Sequence, residues 1–242
     1  MDNDYLRRGK LSTHVKFGES TAVLAGNSLL IMAFEILSDS QLNISETKKN
    51  YLIKILSECS GHTGIAGGQF LDLSFEKKKI SKRKIIDMEI KKTGKLFSFC
   101  CMAPAIIANK NQNVINFFQK IGSDIGLLFQ ITDDLLDYSD NKKIGKPVFQ
   151  DIKEGKITYP FFYAYKNANI KQKKYLKELL GVSKRIQSKD IELIKSLEGI
   201  KKTTQLADKY HQRAVEYAKK IKNLDIREEM IELANTALNR DK

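Results

Sequence analysis

Apolar residues recur at three- and four-residue spacing along most of this chain, the mark of helices that bury one face. That spacing predicts helices at 18–38, 45–60, 63–76, 83–108, 112–139, 158–166, 170–181, 187–198, 201–222 and 225–239. Strand-like alternation is absent over any useful length. With only three prolines, Pro104, Pro147 and Pro160, little interrupts the helical pattern. One segment resists it: DYSDNKKIGKPVFQDIKEGKITYP, 137–160, mixes Asp, Asn, Gly, Pro and Lys and must be loop at least in part. The most apolar stretch, Thr21 to Leu37, is broken by Gly26, Asn27 and Glu35, which predicts a buried core helix rather than a membrane span.

No Gly/Ser/Pro-rich linker divides the 242 residues, so the pattern reads as a single all-α domain over 1–242. Hydrophobic residues, 42% of the chain, suffice for a core. The formal charge of 42 − 29 = +13 raises nucleic acid, anionic lipid and phosphorylated small molecules as partners. The lysines are scattered among Ile and Asn rather than gathered on one helix face with aromatics, which argues against nucleic acid. Cys59, Cys100 and Cys101 form no CxxC and no even framework, as suits a reducing cytosol. The N-terminal MDNDYLRRGK is unlike a secretory signal. His14, His62 and His211 lie too far apart for metal-ligand spacing.

The chemistry concentrates in FQITDDLLDY, 129–138. At about 100° per residue, Asp133 and Asp137 fall within roughly 40° of each other and Asp134 about 60° from Asp137. Gln130 lies one turn earlier on the same side. Like charges so close repel unless a cation joins them. Hard oxygen ligands without His or Cys suit Mg²⁺, which takes one or two carboxylates and completes its shell with water and phosphate. Alone, such a cluster is as well explained by a solvated helix end. Its company changes that: Lys146, Asp151 and Lys156 follow in GKPVFQDIKEGKITYP, Lys92 and Thr93 stand in EIKKTGKLF, and Gln69 and Asp72 stand one turn apart in GGQFLDL.

In this order the motifs resemble the farnesyl and geranylgeranyl diphosphate synthase family of trans-isoprenyl diphosphate synthases, most of all its bacterial farnesyl type. FQITDDLLDYSDNKKIGKPVFQD is similar to the second aspartate-rich motif and the loop after it, KKTGKLF to the KT motif, GGQFLDL to the GQxxD helix, and LRRGK to the arginine pair after the first aspartate-rich motif. The match runs to about residue 165. It implies the isoprenoid synthase helical bundle around a central cavity, lacking its N-terminal helices, and a homodimer built through the helices near 18–38 and 45–60. It also implies head-to-tail prenyl transfer from an allylic diphosphate to isopentenyl diphosphate. Asp2, Asp133, Asp134 and Asp137 would bind Mg²⁺. Arg7 would meet the allylic diphosphate and Arg8 the isopentenyl diphosphate. Lys92, Thr93, Gln130, Lys146 and Lys156 would hold or orient the allylic substrate, with Gln69 beside them. Phe149 stands where the family often has glycine. The family's first motif reads DDxxxxD or DDxxD; here only MDND remains, with Asp2 matching its last aspartate. The sequence therefore resembles the larger, C-terminal part of a synthase, and impaired activity is expected of the chain as it stands. A non-catalytic synthase-like regulatory or dimer-partner protein is the alternative, and a terpene cyclase a weaker one.

Overall fold

The computed structural model describes residues 5–7, 9–138, 149–181 and 186–240. Every helix the spacing predicts is present within a few residues of its expected ends. A two-strand antiparallel hairpin, β1 (Leu6–Arg7) and β2 (Lys10–Leu11), opens the described chain. The helices then follow: α1 (Thr13–Phe17), α2 (Glu19–Ser38), α3 (Glu46–Ser60), α4 (Ile65–Phe75), α5 (Lys82–Glu89), α6 (Lys95–Ile107) and α7 (Gln112–Leu136). After them come α8 (Gln150–Glu154), α9 (Tyr159–Asn167), α10 (Ile170–Leu179), α11 (Ser188–Ser196), α12 (Gly199–Ala218) and α13 (Leu224–Leu238). Two of these, α1 and α8, are single short turns that the spacing does not reveal.

The long helix α7 is the axis of the fold. Asn111 starts it, its side chain accepting the Val114 N–H at 3.1 Å. Ile121, Ile125, Leu128 and Ile131, spaced three and four apart, are fully buried. They pack with Ile85 and Met88 of α5, Leu206 and Ala214 of α12, and Ala234 of α13. Burying each such side chain stabilises the fold by roughly 1.5–3 kcal/mol. A second cluster, Ile152, Phe161, Leu176 and Ile194, joins α8 to α11. A third, built on Leu52, Ile55, Met102 and Ile106, joins α3 to α6. Met102 is thus ordinary core, whereas Phe97 and Phe129 meet with ring centroids 5.3 Å apart near the end of α7 that carries the acids.

One expectation is overturned. The stretch Thr21–Leu37 is a helix, but it is not buried: none of the residues of α2 is buried within the chain. Val23, Leu24, Leu29, Ile31 and Ile36 are all more than half exposed. By length and hydropathy α2 is the one helix among the described residues that could cross a membrane. The apolar run correctly signals a surface that must be covered; the described residues of this chain do not cover it.

A second departure lies between α5 and α6. Ile90–Gly94 forms a π-helical turn that joins them without a break, both junction residues keeping right-handed helical backbone. Such a turn places one extra residue in the helix and recurs at functional sites. Lys92 and Thr93 lie on it.

Candidate active site

The end of α7 presents its three acids in three environments. Asp134 is buried and accepts the Tyr159 N–H at 3.0 Å and the Gln130 Nε2–H at 3.4 Å. Gln130 in turn accepts from Thr93 Oγ1 at 3.2 Å, so an unbroken chain runs from the π-turn to the aspartates. Asp137 accepts the amides of Gln150 and Asp151, at 2.9 and 3.2 Å, and so holds the start of α8. Asp133 is half-exposed and pairs with Arg240 at 3.1 Å. The Arg240 guanidinium also lies over the Phe129 ring, 3.6 Å from its centroid.

Burial sets the electrostatics. It pushes Asp134 up to about 7 against the opposing pull of the Tyr159 amide, with the charge of Asp133 adding to the rise. It pushes Asp137 up to about 6 against the amides of Gln150 and Asp151. Asp151 is driven well above the carboxylate range by burial and then by Asp137 and Asp134, and Glu89 by burial and then by Asp134. Crowded acids with elevated pKa values are characteristic of functional sites.

The cations stand around them. Lys92 bonds Asp72 at 2.6 Å; burial works to lower its pKa, but Asp72 and Glu89 outweigh that and the net shift is upward. Lys156 is buried and pairs with Glu154 at 2.7 Å. Gln69, three residues before Asp72, has its Nε2 buried without a hydrogen-bond partner among the described residues. The contact between α4 and the π-turn depends on Gly68, where an added Cβ would fall 2.3 Å from the Lys92 backbone nitrogen.

Lys92, Thr93, Gln130, Asp133, Asp134, Asp137 and Lys156 are thus gathered around the end of α7, with Gln69 on α4 beside the π-turn. Asp2, Arg8 and Lys146 lie outside the described residues, and Arg7 enters only through the pairing of its backbone with Lys10. Three groups were not anticipated. Glu89 stands one turn before Lys92, and an acid on an otherwise apolar face was the available signal. Tyr159 acts through its backbone, which no side-chain pattern announces. Arg240 comes from the far end of the chain. Phe149 adopts φ 62°, ψ 28°, the left-handed conformation that favours glycine, and its N–H donates to the Asp137 carbonyl at 2.9 Å. Its ring meets Tyr138 edge-on, centroids 6.0 Å apart, a contact that holds the unfavourable backbone in place.

The oxygen donors fit a hard dication: four crowded carboxylates, Asp133, Asp134, Asp137 and Asp151, repel one another. Among the described residues no three His, Cys, Asp or Glu side chains form a closed cage.

The sequence model of the Polyprenyl synthetase family matches residues 1–200, past the point where the motifs end. The chain belongs to the polyprenyl synthetase family. It is similar to farnesyl diphosphate synthase of Micrococcus luteus, 42% identical over 160 residues, which cover 66% of this chain and 54% of that protein. Among solved structures it resembles geranylgeranyl pyrophosphate synthetase from Pyrococcus horikoshii, with TM-score 0.87 and 32% identity over 99% of this chain and 73% of that one. It also resembles a polyprenyl synthase from Caulobacter crescentus complexed with calcium and isoprenyl diphosphate, with TM-score 0.87 and 28% identity, covering 100% of this chain and 72% of that one. This family member therefore has the all-helical fold of those synthases. It spans little more than half the length of the curated relative.

Proposed function

We propose that the chain carries the allylic-diphosphate side of a Mg²⁺-dependent prenyltransferase that joins an allylic diphosphate to isopentenyl diphosphate, giving farnesyl or geranylgeranyl diphosphate. The observation that carries this reading is the hydrogen-bond chain Thr93–Gln130–Asp134, which fixes the KT pair and the aspartates in one frame. The farnesyl and geranylgeranyl diphosphate synthases among its relatives support the substrate class. The calcium and isoprenyl diphosphate in the Caulobacter structure support a divalent cation with a prenyl diphosphate in this fold.

Asp133, Asp134 and Asp137 would hold Mg²⁺, which when bound neutralises the departing diphosphate. Lys92 and Lys156 would add positive charge where negative charge develops on the leaving group. Thr93 and Gln130 orient Asp134 so that its carboxylate does not reorganise during the reaction. The paired rings of Phe97 and Phe129 would shield the cationic carbon from water. The three cysteines are free thiols, which supports action in the cytoplasm.

The test is a calorimetric titration of pyrophosphate, with and without Mg²⁺, beside a titration of duplex DNA. Pyrophosphate is expected to bind weakly in EDTA and detectably with Mg²⁺, and Asp133→Asn to remove most of the Mg²⁺-dependent part. Equal affinity in EDTA and Mg²⁺, together with tight, salt-sensitive binding to DNA, would overturn the reading.

The same reading includes a homodimer built largely through α2 and α3, supported by the uncovered apolar side chains of α2 and by the half-exposed Tyr51 on α3. Light scattering at micromolar concentration should report twice the chain mass, 27.6 kDa. A single-chain mass throughout that range would count against the dimer.

A further inference from the structure

A second basic site lies away from the acids. The loop between α4 and α5, the face of α9 and the C-terminal part of α10 border a half-open cleft of about 280 Å³. Its walls are apolar: Ile80, Ile157, Phe161, Phe162 and Leu180, with the Tyr165 ring stacked on Phe161 at 6.2 Å and 15°. Its rim carries six lysines, Lys77, Lys78, Lys79, Lys166, Lys173 and Lys177, and among the described residues no Asp or Glu lines it. None of these ammonium groups forms an ion pair with a described carboxylate. Lys173 and Lys177 stand instead at 5.9 and 6.0 Å from the Tyr165 ring centroid. Like charges gathered round an apolar hollow, with no carboxylate among its described lining residues, raise the local potential and favour an anion there.

The rim is held in position. Lys77 adopts φ 56°, a strained value for a residue with a side chain, and its N–H donates to the Gly155 carbonyl at 2.8 Å. Its stem lies so close over Gly181 that a Cβ there would fall 1.9 Å from Lys77 Cε. Scattered solvated lysines require no such seating. Here three consecutive lysines are anchored on a turn that faces two helices carrying three more.

We infer that this cavity binds an amphipathic organic phosphate, its short apolar body against Phe161 and Tyr165 and its phosphate among the rim lysines. The ligand class follows from the pairing of an apolar interior with a rim of six lysines and no lining carboxylate among the described residues, and no metal is needed because lysine supplies the positive charge. None of the acids that would hold Mg²⁺ lines the cavity, so the inference stands independently of the function proposed above.

The experiment is titration of geranyl monophosphate in EDTA, followed by calorimetry and by the shifts of backbone amide resonances. Geraniol and inorganic phosphate serve as separate arms, and vesicles containing phosphatidylglycerol as a third. Geranyl monophosphate is expected to bind at least about tenfold more tightly than either half alone, since each half offers one of the two recognised features. Lys173→Glu with Lys177→Glu should weaken it about tenfold or more. Lys79→Glu with Lys166→Glu, on other elements, should do the same, while Asp133→Asn leaves it unchanged. Amide shifts should centre on residues 77–80 and 161–177. Equal binding of inorganic phosphate, preference for vesicles over the soluble ester, or two well-folded charge-reversed variants with undiminished affinity would each overturn the proposal.

Discussion

Affinity for Mg²⁺ is expected to fall by roughly a thousandfold between pH 8 and pH 5, because a cation must displace the protons held by its ligands. Asp134, at about 7, contributes two powers of ten over that range and Asp137, at about 6, one more. The sign follows from the direction of the shifts. Both groups keep their protons to higher pH when folded than their ordinary value of 3.8 allows. Their burial therefore favours the metal-free fold below about pH 4 and works against it as pH rises through 6 and 7. A bound cation reverses this, so Mg²⁺ should raise the melting temperature at pH 8 and leave it unchanged at pH 5. Calorimetric titration in buffers of different ionisation enthalpy would count the protons released. Asp134→Asn should reduce that count by about one at pH 6. Mg²⁺ affinity that stays flat from pH 8 to pH 5 would show that these carboxylates are not its ligands.

Gly68→Ala should destabilise the fold by about 2 kcal/mol and lower its melting temperature by about 4–8 °C. The new methyl group would meet Lys92 backbone atoms at 2.3 and 2.6 Å, and backbone cannot rotate aside as a side chain end can. To make room α4 must move away from the π-turn, stretching the 2.6 Å bond between Lys92 and Asp72. Mg²⁺-dependent pyrophosphate affinity should therefore drop with stability, by about tenfold. Gly26→Ala is the control. It too is a helical glycine, in α2, but its added Cβ meets nothing within 4 Å in the chain, so at concentrations too low for dimerisation better helix propensity should leave stability unchanged or higher. Melting curves by circular dichroism separate the two. Similar curves for both variants would mean that the α4 contact has no bearing on the site.

These residues also show what the sequence makes legible. Helix positions were readable because a core such as that of Ile121, Ile125 and Leu128 repeats its demand for apolar side chains every turn. That Lys92, Thr93, Gln130 and the aspartates come together was readable because acids at helical spacing mark one face and separate basic motifs accompany them in a fixed order. Arg240 was not readable: it reaches Asp133 across 107 residues, and nothing local distinguishes it from the other basic residues of the chain. The surroundings of α2 were not readable either, since an apolar run states that a surface must be covered without saying by what. Phe149 was visible only as a departure from glycine. Its left-handed backbone, held by the Asp137 carbonyl and the Tyr138 ring, is a tertiary outcome.

The π-turn has a consequence for how this site relates to the scaffold that bears it. One residue beyond the regular repeat sits between α5 and α6, so the apolar faces of the two flanking helices keep their phase as if the surplus position were absent. Lys92 and Thr93 occupy that surplus turn. Lys92 and Thr93 are thus an insertion in register terms, while Ile90 and Gly94 of the same turn pack against the core. A one-residue deletion within Ile90–Gly94 would restore an uninterrupted 3.6-residue helix. It would leave Ile85, Met88 and Ser98 facing the interior while rotating Lys92 and Thr93 relative to the aspartates.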